Sequence, residues 1–180
     1  MSDYVALFRG INVGGKHILP MQDLRDILES VGCENVRTYI QSGNAVFTAS
    51  ATAASLSKKI STAIDDSFGF APQVLLLTTD RFKTIAASNP FPEGESTPKF
   101  LHVWFLTEAP TDPDLVALKN LQSDSEQFVL HDSAFFMLAP DGIGRSKLAA
   151  KVDRYLGVAT TARNWRTVSK LLDMISESDS

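Results

Sequence analysis

The sequence has little of what metal centres and disulfide frameworks are made from. Its single cysteine, Cys33, excludes a disulfide framework and any cysteine-built zinc or iron–sulfur site. The three histidines, His17, His102 and His131, stand 85 and 29 residues apart and have no local ligand partner at metal-binding spacing. We therefore expect no metal ion and no cofactor.

Long apolar runs are also absent. The longest, residues 74–77 and 100–106, have the length of strands and fall far short of the ~20 residues of a membrane span. The N-terminus lacks the basic start and apolar stretch of a secretory signal. With 44% apolar and 21% charged residues, the composition excludes a disordered chain. These features predict a cytoplasmic protein with a packed core and no membrane association.

What is present is one order of secondary structure elements that occurs twice. The first run has predicted strands at 4–9, 36–41, 45–48 and 73–79 and predicted helices at 20–31, 52–68 and 80–88. The second run has predicted strands at 99–106, 126–130, 134–138 and 158–161 and predicted helices at 112–121, 147–156 and 164–175, before a polar tail. This order predicts an α+β fold of two tandem ferredoxin-like halves (alpha-beta plaits, β-α-β-β-α-β) with an extra C-terminal helix. We place the halves at 1–88 and 99–180, joined by a proline-rich linker at 89–98.

The first strand of each half is apolar on both faces, as in Val5–Phe8 and Leu101–Leu106. A sheet with one face in water should alternate more cleanly between apolar and polar residues. We therefore expect the second face to be covered by the other half, by the terminal helix or by a partner subunit. The sequence therefore leaves open whether the protein forms a homodimer.

A glycine loop follows the first strand. Residues 10–16 fit the phosphate-binding pattern G-x-x-x-x-G-K, but His17 stands where a serine or threonine must hold Mg²⁺. Pro20 also delays the helix by a turn, which argues against a nucleoside triphosphatase. Two interpretations stay open: a backbone nest that binds an anion, and a simple flexible turn.

The net charge of −4 conceals two segments of opposite sign. Residues 80–141 carry a balance of −6, and residues 142–171 carry a balance of +6. Within the basic segment, Arg145 and Lys147 lie at one predicted helix start, and Arg163 and Arg166 flank Asn164 at the next. Helix starts already present unpaired N–H groups, so cations placed there favour an anion site. The alternatives are ion pairs with the acidic segment and solvated surface charges.

Four strings of this sequence resemble a known bacterial family. They are Val5–Lys16 (VALFRGINVGGK), Val36–Asn44 (VRTYIQSGN), Gly144–Leu148 (GRSKL) and Ala162–Val168 (ARNWRTV), and they span most of the chain. The sequence is similar to domain-of-unknown-function family 1697. The resemblance implies a tandem plait-like α+β fold and implies no activity, substrate or catalytic residue.

These strings contain polar residues that have no obvious role in a core. We predict that they line one groove between the halves: Arg9, Asn12, Gly14, Gly15, Lys16, Arg37, Gln41, Asn44, Arg145, Lys147, Arg163 and Asn164. The groove would bind a nucleotide, a phosphorylated metabolite or a nucleic-acid backbone. Two alternatives are an enzyme acting on a phosphorylated or carboxylated substrate, with His17 or a water as base, and a structural or dimerisation protein. Because no clear nucleophile or general base is visible, whether any reaction is catalysed stays open.

Overall fold

The computed structural model describes residues 1–178, and each half of the chain contains one four-stranded antiparallel sheet. The first half consists of β1 (Ser2–Arg9), α1 (Met21–Ser30), β2 (Glu34–Tyr39), β3 (Asn44–Ala49), α2 (Ala53–Phe68), β4 (Gln73–Thr78) and α3 (Thr79–Ala87). The second half consists of β5 (Leu101–Leu106), α4 (Leu115–Leu121), β6 (Gln127–His131), β7 (Ala134–Leu138), α5 (Val152–Leu156), β8 (Thr160–Asn164) and α6 (Trp165–Ser178). The predicted polar tail is helical as far as Ser178, and its last two residues lie outside the described part of the chain.

The strand order confirms the predicted fold class. One sheet has the order β2-β3-β1-β4 and the other β6-β7-β5-β8, as two ferredoxin-like halves require. The helix predicted as an extra element has a counterpart, because α3 follows β4 just as α6 follows β8. The repeated unit is therefore one helix longer than the plait itself.

The chain divides into two compact units. Unit 1 comprises Met1–Thr84 and the chain from Leu171 onward, and unit 2 comprises Ile85–Lys170. The segment predicted as a linker, residues 89–98, contains a short 3₁₀ helix (Pro92–Ser96) in which Gly94 is buried, and Phe91 is buried directly before it. This segment is therefore packed against unit 2 to which it belongs.

Unit 1 has its main core between one face of its sheet and the helices α1 and α2. Alternate residues of β1 (Tyr4, Ala6 and Phe8) pack in this core, and each helix contributes its apolar stripe. Local signals set the ends of α2, because Thr52 accepts a hydrogen bond from the Ser55 amide and Gly69 ends the helix with φ 75°. The intervening residues of β1 are buried as well, as their apolar character predicts.

Unit 2 repeats this arrangement with one departure from prediction. Trp104 and Leu106 of β5 pack with Leu118 of α4 and with Leu156 of α5. The helix predicted over 147–156 is instead a 3₁₀ turn (Ala149–Lys151) followed by the five-residue α5. The two are separate because Lys151, at φ −123° and ψ 6°, leaves helical geometry.

None of the helices in residues 1–178 combines the length and the apolar character needed to cross a membrane.

Candidate functional site

Three connections meet at one end of the sheet of unit 1. They are the β1–α1 loop (10–20), the β2–β3 turn (40–43) and the segment before β4 (70–72). They come together because the last residues of β1 pair with the first residues of both β3 and β4. We call this surface, residues 9–18, 40–43 and 70–73, the loop end of unit 1.

The glycine loop is a small hairpin. Val13 and Lys16 form an antiparallel bridge, and the Lys16 amide donates to the Val13 carbonyl at 3.0 Å. The two residues between them, Gly14 and Gly15, have φ values of 58° and 72°, which is the conformation of a type I′ turn. Because α1 begins only at Met21, the loop does not place a helix N-terminus at Lys16, as a nucleotide-hydrolysing phosphate loop would.

The side chain of Asn12 links this hairpin to the β2–β3 turn by hydrogen bonds. Its side chain accepts a hydrogen bond from the Leu19 amide at 2.8 Å and donates to the carbonyls of Leu19 (2.9 Å) and Gln41 (2.8 Å). Asparagine is also among the few residues that tolerate the left-handed backbone found here, φ 52°. Asn12 therefore holds the loop end in shape, and Gln41 takes part through its backbone.

Two further contacts make the loop end rigid. Gly43, at φ 84°, lies so close to β1 that an added Cβ would be 2.6 Å from Phe8 Cβ and 2.6 Å from Ile11 Cδ1. The ring of His17 stacks on Phe70 with the ring centroids 4.6 Å apart, and its Nδ1 lies 2.9 Å from the Gly10 carbonyl oxygen. The exposed surface of the loop end is therefore packed closely against the residues below it.

The loop end carries cations and no carboxylate. Arg9 and Lys16 are both exposed, whereas residues 4–22, 35–64 and 67–79 contain no aspartate or glutamate. Three apolar side chains are exposed beside them: Val13 (64%), Ile18 (56%) and Ile40 (49%). The surface can therefore attract an anion and also offer apolar contacts.

Two other predicted residues of unit 1 make internal contacts. The Arg37 guanidinium donates to the Met174 carbonyl and to the Glu177 carboxylate. Asn44 is fully buried, and its amide donates to the Tyr39 carbonyl at 3.0 Å and to Ser42 Oγ at 3.2 Å. These contacts position β2, β3 and the end of α6.

In unit 2, Arg145 and Lys147 are exposed and precede a 3₁₀ turn capped by Ser146 Oγ, which accepts from the Ala149 amide. A turn this short has little helix dipole with which to attract an anion. Asn164 caps α6, since its side-chain oxygen accepts from the Thr167 amide at 3.0 Å. Arg163 pairs with Val103 and Asn164 with His102, so these two adjacent residues face opposite sides of the sheet.

Arg163 stands out by its surroundings. Burial lowers the pKa of its guanidinium to about 10, and one of its N–H groups donates to the Ala162 carbonyl at 2.8 Å. At neutral pH the group is still charged, so it is a cation held with little water around it.

The structure thus brings one subset of the predicted residues to a single surface. At the loop end of unit 1 it joins Arg9, Asn12, Gly14, Gly15, Lys16 and Gln41, whereas Asn44 is buried below this surface. Arg37 lies on β2, away from this surface, and Arg145, Lys147, Arg163 and Asn164 belong to unit 2. That all twelve line one groove stays a prediction. Sequence patterns did not predict that the exposed Val13, Ile18 and Ile40 belong to this surface. The only sequence feature that could have indicated it is their position beside turn residues.

The remaining titratable candidates are buried or isolated. Burial raises the pKa of the Cys33 thiol to about 11, which keeps it protonated and unreactive at neutral pH. Burial lowers the pKa of His102, and the nearby Phe100 carbonyl opposes part of this effect. Within residues 1–178 no three His, Cys, Asp or Glu side chains are grouped so that they could hold a metal ion.

Fold and site together define a tandem ferredoxin-like α+β protein with a rigid cationic loop end. Comparison with known proteins agrees with this class. The family model described as "Protein of unknown function (DUF1697)" matches residues 1–136, and the chain belongs to this family.

The chain is also similar to a solved structure, a conserved bacterial protein, SP0830, from Streptococcus pneumoniae. The two share 27% sequence identity with a TM-score of 0.76, over 98% of this chain and 99% of that one. No curated protein matches the chain.

Proposed function

We propose that this protein binds a phosphate-bearing anion at the loop end of unit 1. The observation that carries the proposal is a rigid, exposed surface with Arg9 and Lys16 and no carboxylate in any of its three segments. The same chemistry serves a nucleotide, a phosphorylated metabolite or a nucleic-acid backbone. Because the hairpin is exposed along residues 13–18, it suits a ligand that lies across the surface, as an extended nucleic-acid strand does.

The turn backbone supports an anion. The amides of Gly14 and Gly15 point from consecutive left-handed residues and donate to no group within residues 1–178. Successive amides in such a turn form a concave nest of partial positive charge. The Lys16 ammonium follows directly, so backbone and side chain act on the same small region.

Ile40 gives independent support for a ligand at this surface. It has φ 47°, a left-handed conformation that a β-branched residue adopts only under strain of about 1–2 kcal/mol. Its side chain is about half exposed, so burial in the core offsets little of that strain. Strained residues of this kind are concentrated at ligand sites, where an exposed apolar group can contact a base or a sugar.

The test is binding measured by fluorescence anisotropy with a labelled single-stranded RNA, together with isothermal titration of AMP. Lys16→Gln should weaken binding of the preferred ligand about fivefold, which is ~1 kcal/mol for one phosphate contact. Lys59→Gln removes the same charge from an exposed position on α2 and should leave binding unchanged.

The salt dependence separates the two sources of phosphate. A nucleic-acid strand gives an affinity that falls steeply with salt, and Lys16→Gln reduces the slope of log K against log salt by about 0.7. A nucleotide gives saturable binding of AMP with a weaker salt effect. Equal losses in the Lys16 and Lys59 variants, or no binding of either probe, would show that the proposal is wrong.

We further propose that the protein works in the cytoplasm of a bacterium. A reducing compartment suits the single buried thiol of Cys33, and the similarity to a bacterial protein supports the source. Fractionation followed by immunodetection tests the location.

A further inference from the structure

The imidazole ring of His17 is the outer member of an aromatic stack at the loop end of unit 1. It lies on the ring of Phe70 with the ring centroids 4.6 Å apart and the ring planes 19° apart. Phe70 in turn makes an edge-to-face contact with Phe68, the last residue of α2, at 6.4 Å and 60°. Phe68 and Phe70 both pack against the core of unit 1, so the stack is built on the interior of that unit.

The outer face of the His17 ring is open to solvent. Phe70 covers one face, and the ring edge that carries Nδ1 lies 2.9 Å from the Gly10 carbonyl oxygen. His17 is nevertheless exposed, so its exposed area belongs to the second face of the ring and to the opposite edge. A flat aromatic surface of this kind can stack with one further ring.

The orientation of this ring is set by the protein alone. The His17 carbonyl accepts a hydrogen bond from the Asn12 amide at 3.0 Å, which holds the backbone, while Phe70 and Gly10 hold the ring itself. A ligand that stacks on His17 therefore orders little that is not already ordered, which lowers the entropic cost of binding.

The residues beside His17 supply a second kind of contact. Lys16 precedes it directly and is exposed, and residues 4–22 contain no carboxylate that would repel a phosphate. Cationic groups along the backbone, joined to aromatic rings on which bases stack, are the combination by which proteins bind single-stranded nucleic acid. In a duplex the faces of the bases are covered by neighbouring bases, so only an unpaired base can stack on His17.

We propose that the loop end of unit 1 binds single-stranded nucleic acid with one unpaired base stacked on His17. This inference rests on the proposed phosphate site and names the ligand class of that site. Lys16 and the turn amides contact the backbone of the strand, and His17 contacts the base. Because every base has an aromatic face, the contact tolerates different sequences.

The test is fluorescence anisotropy of the whole protein with labelled oligoadenylate, with an abasic strand of the same length, and with oligoadenylate annealed to its complement. The abasic strand keeps every phosphate and lacks the bases. Oligoadenylate should therefore bind about tenfold more tightly than the abasic strand.

His17→Asn removes the ring and keeps a residue type that tolerates the left-handed backbone found here, φ 51°. It should weaken the binding of oligoadenylate about tenfold and leave the affinities for the abasic strand and the duplex unchanged. The slope of log K against log salt should also stay unchanged, because no phosphate contact is lost. His17→Phe keeps a ring beside Phe70 and should retain most of the affinity. His131→Asn, at an exposed position at the end of β6, is the matched control and should bind like the wild type.

The outcomes separate this inference from the proposal on which it rests. Equal affinities for oligoadenylate and the abasic strand, or an unchanged affinity in His17→Asn, would overturn the stacking contact and leave the phosphate site standing. A loss in His17→Phe as large as that in His17→Asn would also overturn it, because the effect would then belong to the contact with Gly10. The absence of binding to either strand would contradict both proposals. Circular dichroism of each variant confirms that a loss of binding is not a loss of fold.

Discussion

Gly43 and Gly142 have the same left-handed backbone conformation, but packing requires glycine at only one of the two positions. Gly43 has φ 84° and Gly142 has φ 82°, so a side chain at either position strains the backbone. An added Cβ at Gly142 would meet nothing within 4 Å, whereas one at Gly43 would be 2.6 Å from Phe8 Cβ. Only Gly43 is required by packing as well as by conformation.

This difference predicts the result of two alanine substitutions. Gly142→Ala should lower the free energy of unfolding by about 1 kcal/mol, the cost of a left-handed alanine. Gly43→Ala should cost roughly 1–3 kcal/mol more, because Phe8 and Ile11 must move. Denaturant unfolding followed by far-ultraviolet circular dichroism measures both variants. Equal losses would mean that the turn shifts freely and that the close packing at Gly43 contributes nothing.

For individual residues, sequence patterns identified a set of polar side chains but did not show which are exposed at a surface and which make structural contacts. Lys16 and Arg37 both lie within the strings that resemble the family, yet Lys16 is exposed on a turn and Arg37 reaches the end of α6. The contact between Arg37 and Met174 joins residues 137 positions apart. No local pattern encodes a contact of that separation, so the twelve predicted residues could not be sorted into surface and structural groups from sequence.

Elements whose ends are set locally were predicted well. The helix predicted over 52–68 is α2 (Ala53–Phe68), because its Thr52 cap and its terminal Gly69 are signals that lie at its own borders. The helix predicted over 147–156 was wrong in its first half because the apolar spacing of Leu148, Val152 and Leu156 is compatible with a 3₁₀ turn followed by a short helix. The spacing of apolar residues predicts which side chains are buried. It does not determine whether the backbone there forms an α-helix or a 3₁₀ turn.

The end of α6 offers a prediction about an element. This helix has no basic residue in its last turn, and Arg37 of β2 supplies a cation there instead. Arg37→Ala should lower the free energy of unfolding by about 1–2 kcal/mol, because both contacts to α6 are lost. Glu177→Gln should cost at most about 0.5 kcal/mol, since Glu177 is largely exposed and its pair with Arg37 is screened by water.

Chemical denaturation followed by circular dichroism distinguishes the two variants. Equal costs for Arg37→Ala and Glu177→Gln would assign the whole effect to the ion pair and none to the Met174 carbonyl. Lys59→Gln again serves as a control for the removal of a surface charge.

At the scale of the molecule, the twofold repeat and the burial of both sheet faces were predictable because they follow from element order and from apolar alternation. Val5 of β1 is buried on the sheet face away from α1 and α2, and Val103 of β5 is buried on the face away from α4 and α5. The apolar residues on both faces of these strands predict this burial. The charge of the sequence segments predicted a single site, for an anion. The structure instead places Arg9 and Lys16 at one end of unit 1 and the carboxylates of Asp3, Glu29 and Glu177 at the other, a separation that depends on which strand ends meet.

The stability of unit 2 should depend on pH through His102. This residue is 7% exposed, its Nδ1 has no hydrogen-bond partner within residues 1–178, and burial lowers its pKa. The folded state therefore binds this proton less readily than the unfolded state, whose pKa is about 6.5. Stability is complete above pH ~6.5 and falls as the pH drops below it, by at most about 1.4 kcal/mol per pH unit for one group.

Denaturant unfolding between pH 5.0 and 7.5 tests this dependence. Both tryptophans, Trp104 and Trp165, are buried in unit 2, so their fluorescence reports the unit that contains His102. His102→Gln removes the titrating group and should flatten the pH dependence, whereas His131→Gln, at an exposed site, should leave the wild-type slope. Parallel curves for the wild type and His102→Gln would show that the protonation of buried His102 does not limit stability in acid. A flattened curve would instead make this histidine the main acid-sensitive group of unit 2 above pH 5.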